Sequence, residues 1–412
     1  MTAATSDQVD ALLLLICGAF TLAVVPGLAF FYGGMTGRAG AARAFRAVLT
    51  GSAVVVSLAV LGGYGMIVGR PLIPHVVGRP DPGLASLLPG TGTSADPYPL
   101  AHAGYLIAVC AVAVAVAGTA VASRITLRAW TVFCTAWTLL VLFPACYAVF
   151  ALSDGWAVAG MQVVDFGGAL PISLAAGSGA AGVILACGRN AQGPLEGRRL
   201  TLVAVGGALV WVGWFGLTVG SEGALDGFSA LIGVNTLLAS SGGALMWILV
   251  DRVLLRRPTV TSALCGAVSG LVAVTPASGV LTLGWSLLLG ALAALACATM
   301  VDVAARARFG VPMTVCVIHI VASLVGLLFI GLFATGGGMI DSGNFDLFVA
   351  QAVAAIGVAA FSFGVSALIA LGLRFTVGLT AVRYRADRAV SSRLPDRDRK
   401  SLPAGREDLA AE

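Results

Sequence analysis

The sequence predicts an all-α polytopic membrane protein with eleven transmembrane helices, its N-terminus outside and its C-terminus in the cytoplasm. Three observations carry this expectation. The chain is 58% hydrophobic and 10% charged, with a mean hydropathy of +0.98, whereas a soluble domain holds about 25% charged residues. Apolar runs of about 20 residues, long enough to cross a bilayer, recur eleven times. Basic residues gather in every second connection between them.

Taken in order, the runs cover 10–34, 45–69, 101–123, 129–152, 166–188, 200–220, 229–250, 259–277, 280–304, 312–334 and 347–378. The first follows Asp7 and Asp10 rather than a positive stretch and is long enough to span, so it reads as a helix and not as a cleavable signal. The eighth is short and is ended by Pro276. The last is long enough to run past the membrane. The connection from Arg70 to Pro99 is rich in proline and glycine and reads as an outer loop. Glycine, at 54 residues, suits close helix–helix approach in lipid.

Thirteen arginines fall in alternate connections: Arg38, Arg43, Arg46, Arg124, Arg128, Arg189, Arg198, Arg199, Arg252, Arg256, Arg257, Arg306 and Arg308. The intervening connections hold only Arg70 and Arg79, beside Asp81, Asp96, Asp154, Glu222, Asp226, Asp341 and Asp346. The positive-inside rule fixes the orientation from this bias. A one-span error would break the alternation, so it supports the count of eleven. Residues 1–380 read as one membrane domain. Residues 381–412 read as a polar, Arg/Asp-rich cytoplasmic tail, expected to be partly disordered.

Other classes find little in the chain. The net charge of +5 is dispersed among short loops and is no nucleic-acid signal. The eight cysteines lie in or near apolar spans without CxxC pairs and read as small buried hydrophobes, so no metal or other cofactor is expected. No HExxH, paired carboxylates or nucleophile with a base lies within the spans, which argues against an enzyme.

His319 stands out. It lies seven residues into the run from Pro312 to Ala334. An ionisable group there is costly and marks a path for substrate or protons. The alternative is a neutral imidazole bonded to a neighbouring helix.

Six strings then occur in a fixed order: VPGLAFFYGG (Val25 to Gly34), VVDFGG (Val163 to Gly168), VGWFGLTVGS (Val212 to Ser221), VNT (Val234 to Thr236), GLVAVTPASG (Gly270 to Gly279) and HIVASLVGLLFIGLFA (His319 to Ala334). In that order, on an eleven-span frame, the chain resembles the ammonium transporter family (Amt/Mep/Rh) over residues 7 to 380. The resemblance implies a homotrimer in the plasma (inner) membrane, each subunit with its own pore between two inverted five-helix repeats. The eleventh helix packs across them. It implies ammonium or ammonia as the substrate, recruited at an outer vestibule and passed through an apolar channel.

Residue by residue, Asp165 matches the family aspartate at the outer start of the fifth span, where a plain helix cap is the other reading. Ser221 matches the vestibule serine. Trp214 matches a family tryptophan, and packing and pore contact both stay open for it. Phe150 falls at the vestibule tryptophan, with Trp156 close by as a substitute. His319 matches the histidine of the second repeat. Its partner in the first repeat is absent: eight residues on from Asp165 stands Ser173, or Ile172 if one residue is deleted. Val109 and Leu217 stand where the family has its phenylalanine gates. The tail lacks the acidic, HGE-type pattern, which argues against control by a PII-type signalling protein. Transport is the first reading and a non-conducting ammonium sensor the second.

Overall fold

Among the described residues (3–88, 96–188, 198–254, 256–307 and 309–379) this computed structural model contains a helix at each of the eleven apolar runs. We number them α1 (Ser6–Met35), α2 (Arg38–Val68), α3 (Tyr98–Val121), α4 (Leu127–Phe150), α5 (Leu170–Cys187), α6 (Leu200–Gly220), α7 (Gly227–Val253), α8 (Val260–Val274), α9 (Leu283–Arg306), α10 (Val311–Phe333) and α11 (Asp346–Thr376). Ten are long and apolar enough to cross a membrane; α8, with 15 residues, is shorter. It stops just before Pro276, whose ring cannot continue a helix. The polar tail 381–412 lies outside the described residues.

Local signals set several helix starts. Thr126 accepts from the Ala129 amide at the start of α4. Asp226 and Ser229 form a reciprocal capping box on α7. The connection after α2 carries regular structure over its described residues 69–88. It forms an antiparallel pair, β1 (Pro71–Ile73) and β2 (Val77–Gly78), followed by a 3₁₀ turn over Pro82–Leu87.

Neighbour relations repeat with a period of five helices. In the first half α1 packs on α2 and α3, α2 on α3 and α4, and α3 on α5. In the second half α6 packs on α7 and α8, α7 on α8 and α9, and α8 on α10. Two five-helix halves with like neighbour relations are the pattern of the inverted-repeat architecture of many transporters. α11 lies across both halves, touching α4, α5 and α10.

The halves join mainly along α1 and α6. Their backbones come close because glycines line the seam. A Cβ on Gly206 would lie 2.7 Å from the Gly27 carbonyl oxygen, and one on Gly213 would lie 2.6 Å from that of Phe20. In lipid, where apolar surface alone gives no drive to associate, such close backbone packing holds helices together. The core runs through α3 and α5, buried along nearly their whole length. All eight cysteines are free thiols, and seven are buried.

Candidate functional site

His319 lies near the middle of α10 and is fully buried. Three helices from elsewhere in the fold close around its ring. Nδ1 stands 3.3 Å from the Ser173 hydroxyl on α5, and Nε2 stands 3.4 Å from the Tyr32 hydroxyl on α1. The Trp214 ring of α6 tilts beside it at a centroid distance of 6.4 Å. α5 can come this near because Gly177 faces α10: a Cβ there would sit 3.2 Å from the Cβ of His319.

α5 delivers Ser173 through an irregular first turn. Residues Leu170–Leu174 are wound as a π-helix around Pro171. Such a wider turn places one extra residue in the helix and re-aims its side chains. Ser173 faces the imidazole, while Ile172 points back toward Gly168, where a Cβ would meet its Cδ1 at 3.1 Å.

Asp165 anchors this turn. Its Oδ1 accepts from the Ala169 amide at 2.6 Å and its Oδ2 from the Leu170 amide at 2.7 Å. Both carboxylate oxygens are thus spent on the free amides at a helix start, the arrangement of a cap. The segment is also tied to the end of α8. Phe166 donates to the Pro276 carbonyl at 3.1 Å and Gly167 to that of Thr275 at 2.9 Å. On α11, the Gln351 amide donates to the Val164 carbonyl at 2.7 Å. The Thr275 hydroxyl in turn accepts from the Trp214 indole at 2.9 Å and donates to Leu271. Trp214 therefore serves packing and proximity to His319 at once.

The remaining positions lie on other helix ends and faces. Phe150, half-buried at the end of α4, lays its ring over Gly168; a Cβ at that glycine would lie 2.5 Å from Phe150 Cζ. Ser221 follows the last turn of α6 and donates to the Thr218 carbonyl at 2.6 Å. Val109 on α3 and Leu217 on α6 are both buried. Tyr105, one turn before Val109, wedges its ring against Gly220 and donates its hydroxyl to the Leu217 carbonyl. The structure thus gathers His319, Ser173 and Trp214 at one point, and Phe150 with the Asp165 turn at a second.

Tyr32, Thr275 and Tyr105 were not singled out from sequence. A tyrosine or threonine inside an apolar helix must find a partner for its hydroxyl, and that requirement is the signal that marks them. A cavity of about 670 Å³ lies away from this site, between α1, α6 and α7, lined almost wholly by apolar side chains such as Leu13, Phe20, Trp211 and Phe215.

A helical bundle of two like halves, with a mid-helix histidine where the halves meet, is an architecture shared with membrane transporters. Relatives narrow the class. The Ammonium Transporter Family profile matches residues 12–387. An ammonium transporter of Mycobacterium tuberculosis is 30% identical over 413 residues, covering 90% of this chain and 86% of its own length. A putative ammonium transporter of Methanothermobacter thermautotrophicus is 30% identical over 375 residues, covering 88% and 90%. The crystal structure of Candida albicans Mep2 superposes with a TM-score of 0.78 at 23% identity, covering 90% of this chain and 86% of that one. A structure described as a sensor Amt protein gives 0.81 at 17% identity, covering 94% and 98%. The chain belongs to the Ammonium Transporter Family.

Proposed function

We propose that this protein carries ammonium, or ammonia together with a relayed proton, across the plasma membrane along a path that passes His319. The observation that supports it is the pairing of both ring nitrogens of a fully buried histidine with hydroxyls from two other helices. Bringing an unpaired ammonium ion into an apolar interior costs on the order of tens of kcal/mol. A pore must therefore hold the cation outside and pass a species whose charge is relayed. At the outer end the Phe150 ring, with Trp156 near it, offers a cation–π face, and the Ser221 hydroxyl an acceptor. Val109 and Leu217 stand between that vestibule and the imidazole as smaller side chains than phenylalanine, both fully buried.

With one imidazole, a two-histidine relay is not available. The Ser173–His319–Tyr32 arrangement suggests another route. In the tautomer protonated on Nδ1, the ring donates to Ser173 and accepts the Tyr32 proton on Nε2; the opposite tautomer reverses both bonds. A proton taken up at one nitrogen and released from the other crosses the ring and leaves it neutral, so no fixed charge remains inside.

The charge alternation puts the N-terminus outside and the C-terminus in the cytoplasm. Family likeness supports a homotrimer, and the tail sequence argues against control by a PII-type protein. Methylammonium flux into proteoliposomes tests the reading: wild type transports, and His319→Ala loses most of the flux. A wild type that transports neither ammonium nor methylammonium defeats it. Ser173 in place of an ionisable partner favours a second reading, a sensor that binds ammonium without passing it. Saturable binding in the absence of flux would select that one.

A further inference from the structure

Outside the membrane, the hairpin between α2 and α3 reaches across to the loop that follows α4. The β1–β2 turn carries His75. Its backbone N–H donates to Asp154 Oδ2 at 2.8 Å, and the same oxygen accepts from the Tyr147 hydroxyl at 2.7 Å. The His75 ring adds a contact from Nδ1 to the Asp154 carbonyl at 2.9 Å. In return, the Trp156 amide donates to the His75 carbonyl at 3.1 Å. His75 has φ of 65°, a left-handed conformation that a residue bearing a Cβ keeps only where its surroundings hold it there.

What this clamp grips is the segment Phe150 to Trp156, with Asp154 between the two aromatic rings assigned to the outer vestibule. The loop folds tightly back on α4. A Cβ on Gly155 would lie 2.5 Å from the carbonyl oxygens of both Tyr147 and Ala148. The Tyr147 ring also backs β2, lying 3.1 Å from where a Cβ on Gly78 would be. Phe150 in turn rests on Gly168, inside the turn that starts α5. The hairpin is thus linked to the vestibule rings through one carboxylate.

We propose that Asp154 is a positioning residue. By fixing the β1–β2 turn against the end of α4, it holds Phe150 and Trp156 at the outer mouth, and so sets how tightly ammonium is captured rather than how fast it passes. This inference rests on the ammonium reading above.

The test uses the full chain in proteoliposomes, with saturable methylammonium flux and acrylamide quenching of Trp156 as its two readouts. The Trp156 signal is taken as the difference from the same variant in a Trp156→Phe background. Asp154→Ala and His75→Pro, which has neither the N–H nor access to positive φ, should each raise KM about five- to tenfold with kcat within about twofold. Both should increase Trp156 quenching. His75→Gly keeps the N–H and relieves the backbone, so it should stay near wild type. Asp154→Asn keeps an acceptor and should recover part of the loss, which guards against a variant that merely fails to fold. Wild-type KM in both Asp154→Ala and His75→Pro, a fall in kcat without a rise in KM, or His75→Gly behaving like His75→Pro would each overturn the proposal. If wild type moves neither ammonium nor methylammonium, the ammonium reading falls. Increased quenching in the two clamp variants then still supports the clamp, and unchanged quenching overturns it.

Discussion

Helices α5 and α10 hold equivalent places in the two halves, yet they bring different groups to the same point. α10 is a regular helix from Val311 to Phe333 with Pro312 in its first turn and no side-chain cap. It presents an imidazole. α5 opens with a capped, π-wound turn and presents a hydroxyl. The neighbour pattern is kept while the chemistry has diverged. Scaffold and site therefore rest on separate features: glycine seams and caps set the backbone of both halves, while an imidazole and a hydroxyl meet where those halves join.

The largest expected effect breaks the α10 side of that pair. His319→Leu should cut methylammonium flux about tenfold or more, since it removes the titrating group and leaves the Ser173 and Tyr32 hydroxyls facing a side chain that cannot bond them. Flux within twofold of wild type would remove His319 from the path. Next comes the anchor of α5. Asp165→Ala should lower stability by ~2 kcal/mol, read as a fall in the thermal midpoint of the purified protein, because two helix-start amides lose a charged acceptor. Asp165→Asn should keep much of that stability. If the asparagine variant keeps the midpoint yet loses transport, the carboxylate acts on the substrate and not only as a cap.

Smaller effects sharpen the pair instead of breaking it. Ser173→Ala and Tyr32→Phe each remove one partner of the imidazole, and each should cost ~1 kcal/mol in stability with a severalfold loss of flux. The double variant tests their independence. If both hydroxyls act through the one ring, its loss falls well short of the sum.

The smallest effect lies outside the membrane. The Tyr147 hydroxyl first, and the His75 amide second, hold the Asp154 carboxyl below its ordinary range. A depressed folded-state value means the clamp contributes stability above the unfolded-state carboxylate pKa, about 4, and loses it as pH falls through the folded value. Thermal midpoints of wild type and Asp154→Asn should therefore converge on acidification. A constant gap between them would assign the difference to something other than the charge.

Much of this molecule was legible in its residues. Hydropathy located a helix at each apolar run, ten of them long enough to cross a bilayer and the eighth, α8, shorter. It misplaced edges where a helix outruns its apolar core: α2 begins at Arg38, seven residues before the apolar run at 45. The π-wound turns and the β1–β2 hairpin were not legible, since neither leaves a periodic trace. Counting from Asp165 led to Ser173, but only the folded contact separates it from Ile172. Tyr32 lies within the string FFYGG, where nothing local marks it. Its partner is 287 residues away, and no local pattern encodes a contact between α1 and α10.

That separation has a consequence for how the protein is made. Chains grow at about 5–20 residues per second, so roughly 15 to 60 s pass between the synthesis of Tyr32 and that of His319. During this interval α1 stands in or beside the membrane with a phenol that has no imidazole to bond, and α5 arrives with a serine in the same condition. The helix that brings the imidazole is thus made after both of its partners, and a chain released before α10 would carry most of the fold without His319.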